Sequence, residues 1–139
     1  MAHVTAVEAL IDENNHDVIH HFTVVGFKHS NQCAGGDSMG QDFGAEWAPG
    51  VRPAIFPPHS GARVGGPPGE GGFQSLRLQT HYDNKRGTGL YDSSGINIYR
   101  TESLRTHDLG GFQIGLRSID FLFVFVPRRC NTNLFEVET

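Results

Sequence analysis

Residues 18–27 read VIHHFTVVGF, and this stretch points directly to the fold class. Val, Ile, Phe and Thr favour extended backbone, so the stretch is predicted to form a β-strand. Two adjacent histidines, His20 and His21, stand near its start. Neighbouring side chains of a regular strand point to opposite faces of the sheet. The pair is therefore either divided between core and solvent, or a local twist or bulge turns both rings towards one object, such as a metal ion.

The rest of the chain also favours strands and turns over helices. The 139 residues, with 18 glycines and 7 prolines, are enough for one β-rich domain with a core and too few for two. Five to seven strands joined by long Gly/Pro-rich loops predict an all-β, antiparallel β-sandwich or jelly roll spanning residues 1–139. Strands are predicted within residues 3–11, 18–27, 73–84, 96–101 and 112–126, and loops within residues 28–50, 55–72 and 85–95.

Composition argues against several classes of protein. The net charge of -4, without a dense run of Lys or Arg, argues against a nucleic-acid-binding surface. The longest apolar stretch, residues 119–126, contains Asp120 and is too short to span a bilayer. No signal peptide is visible at the amino terminus. Cys33 and Cys130 could form one disulfide, but the sequence alone does not show that they meet.

Eight histidines are many for a chain of this length. His81 lies in the middle of the predicted strand 73–84, on the same face as Arg77 and Gln79, and is the best third ligand for a metal bound by His20 and His21. The alternative is that each of these three is an ordinary polar strand residue, since an HH pair lacks the informative spacing of a helical H-E-x-x-H site. The remaining histidines are predicted to be solvated or are uninformative: His3, His16, His29, His59 and His107.

Three stretches together go beyond a generic β-pattern. They are VIHHFTVVGF, then WAPG with SGARVGG and LRLQTHYDN, and finally DSSGINIYRTESLRTHDLGGFQIGL. In this order and spacing, residues 3–117 resemble the amino-terminal catalytic domain of the copper type II, ascorbate-dependent monooxygenases. The resemblance implies a jelly-roll β-sandwich in which His20, His21 and His81 bind one copper ion that transfers electrons. It also implies ascorbate as a reductant and a secreted or vesicular location.

The resemblance does not extend to the second copper site of this family. The family's oxygen-activating copper is bound by an H-x-H pair and a methionine of a second domain, and this sequence has no H-x-H. Residues 118–139 diverge from the family's continuation. We therefore expect a copper domain that works with a second copper domain supplied elsewhere, and no substrate can be named. The alternatives are a non-catalytic module that binds a partner or self-associates, and a different zinc or copper enzyme with an open position for water. For this enzyme no Asp or Glu is obviously placed as a base, although Asp83 lies two residues after His81.

Overall fold

The computed structural model describes residues 1–28, 41–67 and 69–110, without the side chains of residues 41 and 42. Within these ranges the chain forms eight strands and one short 3-10 turn at Glu13–Asn15. The strands are β1 (Ala2–Leu10), β2 (Ile19–Phe27), β3 (Gln41–Trp47), β4 (Ala54–Ile55), β5 (Ser60–Val64), β6 (Ser75–Tyr82), β7 (Gly95–Thr101) and β8 (His107–Asp108). The all-β fold class is therefore confirmed.

Two sheets contain all of these strands. In the larger sheet β1 is central: β7 pairs along one edge of β1, and β5 and β4 pair along the other edge. β8 extends this sheet by pairing in parallel with β5, whereas the remaining pairs in both sheets are antiparallel. The smaller sheet has the order β3-β2-β6. The strand 18–27 predicted from the sequence is thus the middle strand of the smaller sheet.

The core lies between the two sheets. Side chains alternate between the two faces of a strand except at bulges, so one face of each sheet points inward. The buried cluster contains residues of both sheets: Val4, Val7, Val24, Phe43, Ala45, Phe56 and Ala62. Leu76 and Leu78 pack against it from β6, whereas Arg77 of the same strand is exposed. The face assignment made for β6 is therefore correct, and the fold is a two-sheet β-sandwich.

The prediction of one long loop over residues 28–50 is wrong, because β3 lies in it. Phe43 and Ala45 are buried, and Glu46 between Ala45 and Trp47 is exposed, which is the alternation of a half-buried strand. Gly44 is exposed and keeps this alternation, but glycine has a low strand propensity. Gly44 has a φ of 76° at the irregularity where β3 changes its register against β2, and such a bulge conceals a strand in a short sequence window.

Residues 55–72, also predicted to be loop, contain β5 and the end of β4. Both strands gain their stability from pairing with β1, which a local pattern cannot reveal. The structure therefore has more strands than the five to seven expected. The strand predicted at residues 112–126 and the tail 118–139 lie outside the described residues, so the jelly-roll connectivity and the single domain over residues 1–139 stay predictions. The described residues include no helix with the length and apolar character needed to cross a membrane.

Candidate metal centre

A bulge in β2 places both adjacent histidines on the same side of the sheet. Ile19 pairs with Tyr82 and His21 pairs with His81, so His20 is an extra residue between two pairs of the β2–β6 ladder. Ile19 and Phe22 are buried at 2% and 1% exposure, and the two residues between them face outward. A bulge of this kind re-aims side chains locally. The structure therefore shows a local bulge that turns both histidines to one face, and not a division of the pair between core and solvent.

His20, His21 and His81 come together at this bulge. Their ring centroids are 5.1 Å (His20–His21), 5.0 Å (His20–His81) and 4.8 Å (His21–His81) apart. One nitrogen from each ring lies within 4.8 Å of the other two. The Nδ1 atoms of His20 and His21 are 2.9 Å apart, a hydrogen-bonding distance. The sequence-predicted trio thus forms one cluster of nitrogen ligands.

The cluster fits a copper ion in donor type and in spacing. Three nitrogens bound to one ion at about 2.0–2.1 Å lie about 3.4–3.6 Å from one another. The three nitrogens of the cluster lie within 4.8 Å of one another, a spacing compatible with ligands of one ion. Imidazole is a ligand that suits copper, and also zinc. His20 and His81 are exposed and His21 is half-buried, so the remaining coordination positions face solvent.

The environment of His21 favours the neutral imidazole that a metal requires. Burial lowers the pKa of His21, the His81 and His20 rings lower it further, and the Glu46 carboxylate opposes part of this effect. A lowered pKa means that less of the ring carries a proton at a given pH. Because a proton and a metal compete for the same nitrogen, this environment prepares His21 for metal binding near neutral pH.

Asp83 does not have the surroundings of a catalytic base. Its carboxylate forms a salt bridge with Lys85, with Oδ2 and Nζ 2.8 Å apart. The hydrogen bond from Lys85 is the main cause that lowers the pKa of Asp83. A general base that works near neutral pH needs the opposite shift, towards the working pH. This argues against the alternative of a different zinc or copper enzyme with Asp83 as its base.

The other histidines of the described chain do not join the cluster. His16, His59 and His107 are exposed, as predicted. His107 was expected in a loop, but it begins the two-residue strand β8. His29 and the cysteines Cys33 and Cys130 lie outside the described residues, so their predicted solvation and disulfide stay predictions.

His3 is a buried histidine with two hydrogen-bond partners, a role that was not predicted from the sequence. Its side chain has 0% exposure, Nε2 lies 2.9 Å from Asp108 Oδ1, and Nδ1 accepts a hydrogen bond from the Arg105 backbone N–H at 2.9 Å. Asp108 Oδ1 also accepts from Arg63 Nε. His3 therefore fastens the segment around β8 to the larger sheet. Its position two residues from the start of the chain offered no signal, because its partners are about a hundred residues away.

Comparison with known proteins finds one family model and several relatives. The model of the amino-terminal domain of copper type II ascorbate-dependent monooxygenases matches residues 1–89, which include all three clustered histidines. Dopamine beta-hydroxylase of Bos taurus is 31% identical over an alignment of 134 residues, covering 82% of this chain and 20% of the relative. DBH-like monooxygenase protein 1 of Mus musculus is 31% identical, covering 82% and 21%. DBH-like monooxygenase protein 2 of Mus musculus is 29% identical, covering 88% and 21%.

This chain thus spans about a fifth of the length of the relatives it matches. The matched region carries the bulged strand β2 and the strand β6 that face each other at the histidine cluster. On the extent of the family match, which exceeds half of the chain, this protein belongs to the copper type II ascorbate-dependent monooxygenase family, as a representative of its amino-terminal domain.

Proposed function

We propose that this chain is a copper-binding, electron-transferring domain of an ascorbate-dependent monooxygenase. The observation that carries the proposal is the convergence of His20, His21 and His81 at one bulge on the outer face of the smaller sheet. One copper ion held by these three imidazoles would make the domain a one-electron carrier. Membership of a family named for copper and ascorbate supports both the metal and the reductant.

In this function the residues of the chain would hold the ion, leave it accessible to a reductant and anchor the site to the sheet. His20, His21 and His81 hold the ion, and imidazole nitrogen is a suitable ligand in both oxidation states. Bound copper supplies a centre that alternates between Cu(II) and Cu(I), so that one ascorbate can give up one electron at a time. The exposure of His20 and His81 leaves the site open to a small reductant. The half-buried His21 anchors the site to the sheet.

Oxygen activation is assigned to a second copper domain outside this chain. The described residues contain one cluster of three potential metal ligands, and the sequence has no H-x-H. Because the matched relatives are about five times longer, a longer chain or a separate partner would supply that domain. A secreted or vesicular location belongs to the same proposal. Self-association, or binding of another partner by a non-catalytic module, is the alternative function.

Metal analysis of the purified chain tests the proposal. We expect about one copper per chain after reconstitution, lost in His81→Ala and retained in the control His59→Ala, whose exposed ring lies outside the cluster. Addition of ascorbate should then abolish the Cu(II) electron paramagnetic resonance signal, because Cu(I) is diamagnetic. Zinc in place of copper would favour a different metalloprotein. If neither the parent nor the variants bind a metal, the non-catalytic module is favoured.

A further inference from the structure

The Asp92 carboxylate joins the two chain segments that lead into and out of the histidine cluster. Its Oδ2 accepts a hydrogen bond from Tyr82 Oη at 2.6 Å, and Tyr82 is the last residue of β6. Its Oδ1 accepts from Asn15 Nδ2 at 3.0 Å, and Asn15 ends the short turn before β2. Ser94 donates to the same Oδ1 from its hydroxyl at 2.7 Å and from its backbone N–H at 3.2 Å. Asp92 therefore connects its own segment, which contains Ser94, to the end of β6 and to the turn before β2.

The connected residues flank the bulge on its outer side. The pair Ile19–Tyr82 is the last of the β2–β6 ladder, and His20 is the extra residue next to it. Just beyond, the Asp83 N–H donates to Val18 O at 2.7 Å, and the Val18 N–H donates to Asn15 O at 3.0 Å. Tyr82 and Asn15 thus hold opposite sides of the ladder end, and Asp92 bonds to both.

Loss of this connection would permit a different register. From His21 onward the two residue numbers of every β2–β6 pair add up to 102, as in His21–His81. The numbers of the pair Ile19–Tyr82 add up to 101, so this pair is out of that register by one residue. If the end of β6 slipped by one residue, the bulge would disappear and His20 would lie opposite Tyr82. Because side chains alternate along a regular strand, His20 would then turn towards the core side, away from His21 and His81.

We infer that Asp92 is a positioning residue for the metal site: through Tyr82 and Asn15 it keeps the bulge in β2, and the bulge keeps His20 beside His21 and His81. The inference rests on the proposed copper function. Asp92 touches none of the three histidines, so it acts only through the backbone of β2 and β6. Residues that orient metal ligands in this indirect way commonly change metal affinity when they are replaced.

The chemistry of the Asp92 site supports a role of this kind. Burial raises the pKa of Asp92, but hydrogen bonds from Tyr82, Ser94 and Asn15 outweigh it and lower the pKa to about 2. The carboxylate is therefore ionised throughout the neutral range, and its hydrogen bonds are of the stronger, charge-assisted type. Asn15 is itself 2% exposed and also donates to the Tyr91 backbone oxygen. The connection is thus firmly held on the side of β2.

Tyr82→Phe removes the connection to β6 with the loss of a single hydroxyl group. Tyr99→Phe is the matched control, because the Tyr99 hydroxyl donates to Glu8 Oε2 at 2.7 Å in the other sheet. Copper affinity, the Cu(II) paramagnetic resonance spectrum and hydrogen exchange of the Asp83 amide are measured in the full chain. We expect Tyr82→Phe to weaken copper binding about tenfold, to change the spectrum and to accelerate exchange of the Asp83 amide. Tyr99→Phe should change none of the three.

Asp92→Asn and the double variant Asp92→Asn with Tyr82→Phe sharpen the test. If both residues act through one hydrogen bond, the double variant loses no more copper affinity than the more strongly affected single variant. Unchanged affinity, spectrum and Asp83 exchange in Tyr82→Phe would overturn the inference. If the parent chain binds no copper, the proposed function fails, while exchange of the Asp83 amide still decides whether Asp92 holds the bulge.

Discussion

His21 lies directly opposite His81 in the β2–β6 ladder, whereas the neighbouring His20 has no partner in that ladder. Two ligands of the cluster are therefore fixed by regular sheet pairing, and the third is supplied by an irregularity. The pairing sets the 4.8 Å distance between the His21 and His81 rings. The bulge then adds a ring on the same face, where a regular strand would have put it on the other.

Replacement of any one of the three histidines by alanine should weaken copper binding by at least about tenfold, because each removes one of three nitrogen ligands. The domain should stay folded, since His20 and His81 are exposed and His21 is half-buried. Titration with Cu(II) and circular dichroism measure the two effects separately. His16→Ala, at an exposed histidine outside the cluster, serves as the control. Parent-like copper affinity in all three variants would mean that the site is wrongly assigned.

Strands with several β-branched, aliphatic or aromatic residues could be predicted from the sequence. β1, β2, β6 and β7 all overlap the predicted segments 3–11, 18–27, 73–84 and 96–101. β3 could not, because Gly44 adopts a positive φ at a bulge and glycine has a low strand propensity. β8 has only two residues and owes its existence to parallel pairing with β5, a contact about fifty residues away in sequence.

The histidine cluster could be predicted because its ligands carry an unusual local signal. An HH pair inside a strand is unusual, and so is a histidine such as His81 in the middle of a polar strand face. Both features are visible in the sequence without the structure. The connection by Asp92 could not be predicted in the same way. Asp92 and Ser94 make a local side-chain contact typical of such sequences, since Ser94 N–H bonds to Asp92 Oδ1. The bonds from Tyr82 and Asn15 depend on the folded arrangement.

Acid should destabilise the domain partly through Asp92. Its pKa is about 2 in the folded protein, below the value of about 3.9 for an unfolded chain. A depressed folded-state pKa contributes stability that is fully present above the unfolded value and is lost as pH falls through the folded value. The contribution of Asp92 should therefore decline between about pH 4 and pH 2.

Urea unfolding of the parent and Asp92→Asn from pH 6 to pH 2 isolates this contribution. The variant should be less stable at pH 6, and the difference in unfolding free energy should shrink towards pH 2. Other carboxylates with lowered pKa values, such as Asp12 and Asp17, titrate in both proteins and so largely cancel. A difference that stays constant with pH would contradict the assigned ionisation of Asp92.

His3→Ala should destabilise the domain by about 2–4 kcal/mol, because it opens a cavity and leaves a buried donor without its acceptor. The donor is the Arg105 N–H, which bonds to His3 Nδ1. Asp108 keeps its bond from Arg63, which limits the loss. His107→Ala is the control at an exposed histidine of the same region and should cost less than about 0.5 kcal/mol. Equal unfolding free energies for the two variants would show that the buried hydrogen bonds of His3 do not stabilise the domain.

Gly26→Ala tests how tightly the smaller sheet packs at the end of β2 that is far from the histidine cluster. A Cβ at residue 26 would lie 2.6 Å from Phe73 Cε1 and 2.8 Å from Phe73 Cγ, so the Phe73 ring must move. That ring packs against Phe43, with centroids 5.4 Å apart, and the disturbance would therefore reach the core. Overpacking of this kind costs about 1–3 kcal/mol, which urea unfolding can measure.

The matched control for Gly26→Ala is Gly89→Ala, where an added Cβ meets no atom within 4 Å. We expect this control to leave the unfolding free energy unchanged within about 0.5 kcal/mol. Measurements of copper affinity should also show whether the packing at Gly26 and the histidine cluster are independent. Gly26 lies near the end of the strand opposite to His20, so Gly26→Ala should lower stability while leaving the affinity of the folded domain within about twofold. A large loss of affinity in Gly26→Ala would show that the ladder between residues 21 and 26 transmits displacement to the cluster, and that the bulge is not held locally.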